Sequence, residues 1–160
     1  MRWNVRWRAW GVVLVGALGT VMSVGSGADA QPEPVLSVIV HPSNRGATGD
    51  RTALRQLFQT KVTRWASGER AVPLNLPRGS AARDAFDRAV LGLSPEESER
   101  YWIDRKIRGG APPPALAPDP ATVLRTVAQT PGGIGYVPAG ATGAEVRVIA
   151  TVRDGKVVTE

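Results

Sequence analysis

Cysteine is absent from the chain. That excludes disulfides, thiolate catalysis, cysteine-ligated zinc and a lipid anchored on a cysteine. Histidine occurs once, at His41, and Glu96, Glu97 and Glu99 have no metal-ligand spacing with it. The strained nucleophile turn G-x-S-x-G is also missing, because the residues around Ser80 read Arg78-Gly79-Ser80-Ala81-Ala82. A serine–histidine pair could come only from Ser80 and His41, if their two loops converge. His41 more simply closes a strand with a hydrogen-bonded ring. No catalytic residue, metal ligand or cofactor is expected, and the chain reads as a non-enzyme. A basic stripe with interleaved aromatics is not developed either. Arg100, Arg105, Lys106 and Arg108, beside Tyr101 and Trp102, suit the carboxyl half of a helix, so nucleic acid is not expected as a partner. No internal repeat is present.

What the chain does have is enough apolar material for one domain. Its 160 residues are 42% hydrophobic, which argues against wholesale disorder and against two large domains. The net charge is +6; setting aside Arg2, Arg6, Arg8 and Asp29 leaves 17 basic residues against 13 acidic, a net of +4. That spread-out excess favours anionic partners weakly. The four set-aside residues belong to a segment that reads as an export leader. A basic start precedes the uncharged run from Ala9 to Val24, and Ala28-Asp29-Ala30 ends the segment in an A-x-A pattern. Cleavage is expected between Ala30 and Gln31, leaving residues 31–160 as the mature domain, in the periplasm of a Gram-negative cell if bacterial. The competing expectation is an uncleaved anchor, although the run is short for a membrane span and broken by Gly11, Gly16 and Gly19.

The stretch around which the rest is organised runs from Val72 to Leu91. Val72, Leu74 and Leu76 alternate with Pro73 and Asn75 as a strand does. Pro77-Arg78-Gly79 turns the chain, Ser80 caps a helix, and Gly92 stops it. A helix start that follows a strand, with Gly79 exposing backbone and Arg78 and Arg83 alongside, can cradle an anion. The simpler alternative is that Ser80 is only a cap and the arginines only a solvated surface.

Other elements follow from local signals. Val35 to His41 reads as a strand buried on both faces, and Asp50 caps a helix bearing Leu54, Leu57 and Phe58. Ser94-Pro95-Glu96-Glu97 opens a helix with a capping box, and Asp119-Pro120 opens another. Ala111-Pro112-Pro113-Pro114 reads as a stiff connector. Ile134 to Val137 and Val146 to Val152 read as strands, and Asp154-Gly155 signals a terminal hairpin. Strands alternating with helices predict an α/β fold with a mainly parallel sheet and an antiparallel hairpin at its edge. In such a sheet His41–Gly49 and Pro77–Ser80 both follow strand ends and could share one crevice. Trp65 and Trp102 could supply a docking surface if exposed, although such residues are more often core.

From Asp50 to Val137 the order of features resembles the periplasmic phosphate-binding proteins of ABC transporters, in the type II solute-binding superfamily. The residues that carry the resemblance are Leu54-Arg55-Gln56-Leu57-Phe58, Lys61 to Trp65, Arg78-Gly79-Ser80 and Pro131-Gly132-Gly133-Ile134-Gly135-Tyr136-Val137, with Val38 to Asn44 ahead of them. The chain is most similar to small single-domain members. The resemblance implies one lobe of a periplasmic-binding-protein-like fold, a mixed sheet flanked by helices, descended from a bilobal phosphate binder. It also implies phosphate or another small anion as ligand, with Arg78, Gly79, Ser80, Arg83 and His41 as ligand-binding candidates, and a membrane permease or envelope protein as partner. A homodimer, two copies pairing to rebuild a cleft, stays open. So does an accessory module that has lost its ligand. The family's turn reads D-G-S-G-T after an arginine two residues earlier. Here Arg78 replaces the acidic residue, Ala82 lacks the hydroxyl, and Leu76 stands where the arginine would fall.

Overall fold

The computed structural model describes residues 32–160. The expected leader, with Ala30 and Gln31 at its cleavage point, lies outside the described residues. Strands β1 (Leu36–Val40), β2 (Val72–Asn75), β3 (Ala115–Leu116), β4 (Gly133–Pro138), β5 (Arg147–Arg153) and β6 (Lys156–Thr159) form one sheet, in the order β3-β2-β4-β1-β5-β6. Helices α1 (Arg51–Phe58), α2 (Ala81–Phe86), α3 (Pro95–Ile107) and α4 (Pro120–Gln129) flank it. The α/β class, the terminal hairpin and the mixed sheet that the resemblance implies are as expected, whereas the mainly parallel sheet read from alternation alone is not found. β2 runs parallel to β3 and to β4, whereas β1 is antiparallel to both β4 and β5, and β5 to β6. Alternation of strands and helices fixes the order of elements but leaves the choice of neighbours to tertiary packing. β1 takes the middle of the sheet between β4 and β5, and all five of its residues are buried there.

The direction of β1 decides what its carboxyl end can meet. Val40 pairs with Ile134 and Val72 with Gly133, so β1 ends at the edge of the sheet where β2 and β4 begin. His41 follows directly, its backbone N–H donating to the Gly133 carbonyl at 3.3 Å. β2 ends at the opposite edge, with Leu76 and Pro77.

Local signals hold well at the helix starts. The side chains of Asp50, Ser80, Ser94 and Asp119 accept from the N–H groups of Ala53, Arg83, Glu97 and Thr122, and Ser94 with Glu97 completes the capping box. Each such cap stabilises its helix by about 1 kcal/mol. Asp154 and Gly155, with φ of 50° and 68°, make the hairpin turn whose twist suits antiparallel strands. Three local features depart from the expected pattern. The helix begun at Ser80 widens into a π turn over Asp87–Leu91 before Gly92 ends it. A bulge between β1 and β5 breaks the alternation of β5, so Ile149 is buried and Val148 only half so. The proline connector ends in β3, which pairs Ala115 and Leu116 with Leu74 and Asn75.

Three rings link the helices to the sheet. Phe86 of α2 stacks on Tyr136 of β4 with centroids 3.9 Å apart, and Phe58 of α1 tilts against Phe86 at 4.6 Å. α4 closes on β4 at Gly135, where a Cβ would collide with Val123. Only a residue without a side chain allows that approach.

Candidate functional site

The turn after β2 is shaped by its own hydrogen bonds. Pro77 offers its carbonyl to the Ser80 N–H at 3.3 Å and to the Ser80 hydroxyl at 2.8 Å. That hydroxyl in turn accepts from the Arg83 N–H at 3.3 Å. Gly79 adopts φ +75°, and a Cβ there would meet nothing, so glycine is needed for backbone conformation and not for space. Arg78 projects into solvent. Among the described residues its one ion pair, with Glu99 at 3.5 Å, joins two side chains that are each more than half exposed.

Arg83 was expected beside Arg78 as an anion contact, and the structure gives it another role. Its side chain is 5% exposed, with Nε 2.9 Å from both oxygens of Asp87 and one terminal nitrogen donating to the Leu76 carbonyl at 3.3 Å. Asp87 also accepts from the Ser98 hydroxyl at 2.8 Å. Burial pushes the Asp87 carboxyl above its ordinary value, against the opposing pull of the Arg83 charge and the hydrogen bonds from Ser98 and Arg83. Arg83 thus ties the end of β2 to its own helix and, through Asp87, to α3. The spacing of Arg83 and Asp87 was visible in the sequence as an i, i+4 pair. Ser98, eleven residues beyond Asp87, had no such signal. Neither did the neighbouring network in which Tyr136 donates to Asn75 at 3.3 Å and accepts from the Leu76 N–H at 3.2 Å. Burial pushes the Tyr136 hydroxyl well above the usual phenol range, so it stays protonated as the donor to Asn75.

A pocket of about 150 Å³ opens between this turn and the start of α3. Arg78, Gly79 and Arg83 line it, and Ser80 does not. Arg78 and Arg83 face four carboxylates there: Asp84, Asp87, Glu96 and Glu99. Backbone N–H donation at the helix start, with help from Ser94, holds the Glu96 carboxyl below the usual range, so it is charged at neutral pH. Negative charge therefore prevails, which disfavours a multiply charged anion deep in the pocket. The outer lip, at Arg78 and Gly79, remains open.

His41 is not brought to this site. It sits at the opposite sheet edge, where its Nδ1 accepts from the Ser43 N–H at 3.1 Å and lies 2.7 Å from the Ser43 hydroxyl. The two loops do not share a crevice, and Ser80 and His41 form no pair. Trp65 and Trp102 are only 8% and 5% exposed, so they take the core role and not that of an exposed docking surface. Trp65 donates to the Gly132 carbonyl at 3.0 Å. Among the described residues no group of three metal-ligating side chains could hold an ion.

No protein-family model matches the chain, and no curated protein sequence matches it. Solved structures do. An ABC-type phosphate transport receptor from Vibrio cholerae matches at a TM-score of 0.57 and 14% identity, over 73% of this chain and 46% of that one. A putative phosphate ABC transporter substrate-binding protein with bound phosphate, from Clostridium perfringens, matches at 0.55 and 18%, over 73% and 45%. A possible phosphate binding protein from Planctomyces limnophilus matches at 0.53 and 13%, over 74% and 42%. This chain spans less than half the length of each of these. At such identities the likeness is one of fold: a mixed α/β sheet flanked by helices, similar to lobes of phosphate-binding proteins.

Proposed function

We propose that the protein is an exported, periplasmic solute-binding-like lobe that makes a weak, open contact to phosphate or a similar oxyanion at Arg78, Gly79 and Ser80. In this reading it serves transport or sensing as an accessory and not as a high-affinity receptor. The observation that carries it is the availability of Arg78 beside the left-handed Gly79. An ion pair this exposed contributes between zero and about 1 kcal/mol, so an oxyanion can recruit the guanidinium at little cost. The likeness to lobes of phosphate-binding proteins supports the ligand class, and a membrane permease or envelope protein is the partner this role requires.

A second reading, an envelope interaction module that has lost its solute, is favoured by the four carboxylates around the pocket and by the burial of Arg83. Thermal melts of the full chain with and without phosphate, at constant ionic strength, separate the two. The variant is Arg78→Ala with Ser80→Gly, since glycine at a helix cap costs only a few tenths of a kcal/mol where alanine costs about 1. A ligand that binds only the folded state raises the melting temperature. The first reading predicts a rise that shrinks in the variant; an equal rise in both overturns the contact at Arg78 and puts phosphate elsewhere, and no rise favours the second.

A further inference from the structure

At the sheet edge opposite the Ser80 turn, the loop that begins with His41 runs from β1 to α1 and is pinned against β5. Gly49 approaches so closely that a Cβ would collide with the Ile149 carbonyl, and Asn44 and Ala47 are buried. From β5, Arg147 donates through one terminal nitrogen to the carbonyls of Asn44, at 2.6 Å, and Ala47, at 3.2 Å. The Nε of the same guanidinium is buried without a partner, and so is Nδ2 of Asn44. Both are donors. Unpaired buried donors are rare in folded proteins, and the one on Arg147 leaves this guanidinium with donor capacity to spare. Beside Arg147 lies a shallow pocket of about 370 Å³, lined by Pro42, Arg45 and Arg147, with Asn44 outside the lining. No carboxylate lines it, and among the described residues neither arginine belongs to a salt bridge. Here positive charge is uncompensated, the reverse of the balance at the Ser80 turn.

We propose that Arg45 and Arg147 form a second site, for a small free oxyanion of the phosphate type. Arg147 is the fixed member, because its bonds to the loop carbonyls hold the guanidinium before any ligand arrives. Arg45 is exposed and closes over the ion from the solvent side. Guanidinium groups suit this ligand, since their planar donors match the oxygens of an oxyanion. The site stands independently of the proposed contact at Arg78.

The test is a phosphate titration of the ¹⁵N-labelled full chain at constant ionic strength, following the Nε–H resonances of Arg147 and Arg45. Both should move and saturate. Arg45→Gln should weaken that binding about tenfold, the loss of one charge-assisted hydrogen bond. Arg125→Gln, at an exposed arginine on α4, should leave it unchanged. A static Arg147 resonance, or equal weakening in both variants, overturns the site. Capture of the chain by phosphatidylglycerol vesicles that depends on Arg45, without any response to free phosphate, assigns the cluster to a membrane surface and equally overturns it. The backbone amides of Gly79 and Ser80 report separately, so failure here leaves the Arg78 contact to its own test.

Discussion

Arg83 and Asp87 lie one turn apart, and each side chain is about 95% removed from solvent. Replacing Asp87 with alanine leaves a guanidinium buried with only the Leu76 carbonyl as acceptor. Urea unfolding should show a loss of about 3–5 kcal/mol, the usual result of breaking a buried pair from one side. The double change Arg83→Met, Asp87→Leu removes both charges and should cost less than Asp87→Ala alone. A double variant as unstable as the single one would mean that the pair is worth more than an apolar substitute. This residue also marks the limit of what a sequence shows at this scale. A basic side chain in the first turn of a helix after a strand looks the same whether it faces an anion or its own i+4 carboxylate. Arg78 and Arg83 differ only in burial, which tertiary contacts with Leu76 and Ser98 decide. His41 differs from both by standing at the other edge of the sheet.

At the scale of elements, what is encoded within four residues was legible, and what depends on a distant partner was not. The caps at Asp50, Ser80, Ser94 and Asp119 are each a side chain bonding to the third N–H onward, and all four could be read from the chain. β3 could not, because two residues after a run of prolines become a strand only through the ladder that β2 offers. Nor could the π turn over Asp87–Leu91, nor the hydrogen bond from Ser98 to Asp87. The cap at Asp119 carries a pH signature. Donation from the Thr122 N–H holds the Asp119 carboxyl below its ordinary value of 3.8. A depressed folded pKa gives stability that is complete above the unfolded value and disappears as pH falls below it. Asn caps a helix as well as Asp but does not titrate. Urea melts should therefore show Asp119→Asn losing less stability than the wild type between pH 5 and pH 3. Parallel losses would show that this cap contributes nothing to the acid response.

For the whole molecule, strand direction matters more than strand content. The six strands are close to those the sequence suggested, apart from β3, yet the antiparallel placement of β1 sends its following loop to the edge opposite the Ser80 turn. Two loops that could have shared one crevice instead become two separated clusters of opposite charge balance. The resemblance drawn from Gly79-Ser80 and from the Gly133 to Val137 run anticipated the fold, because those residues sit where backbone geometry is tightly constrained. It carries less about a ligand, because Leu76, Arg78 and Ala82 depart from the turn that the resemblance implies.

The most direct measurement follows the backbone amides of Gly79 and Ser80 in the full chain by NMR as phosphate is raised at constant ionic strength. An open contact at Arg78 predicts that both amides shift and saturate in the millimolar range, and that Arg78→Ala abolishes the movement. Amides that stay still throughout, or move equally in the variant, would contradict that contact.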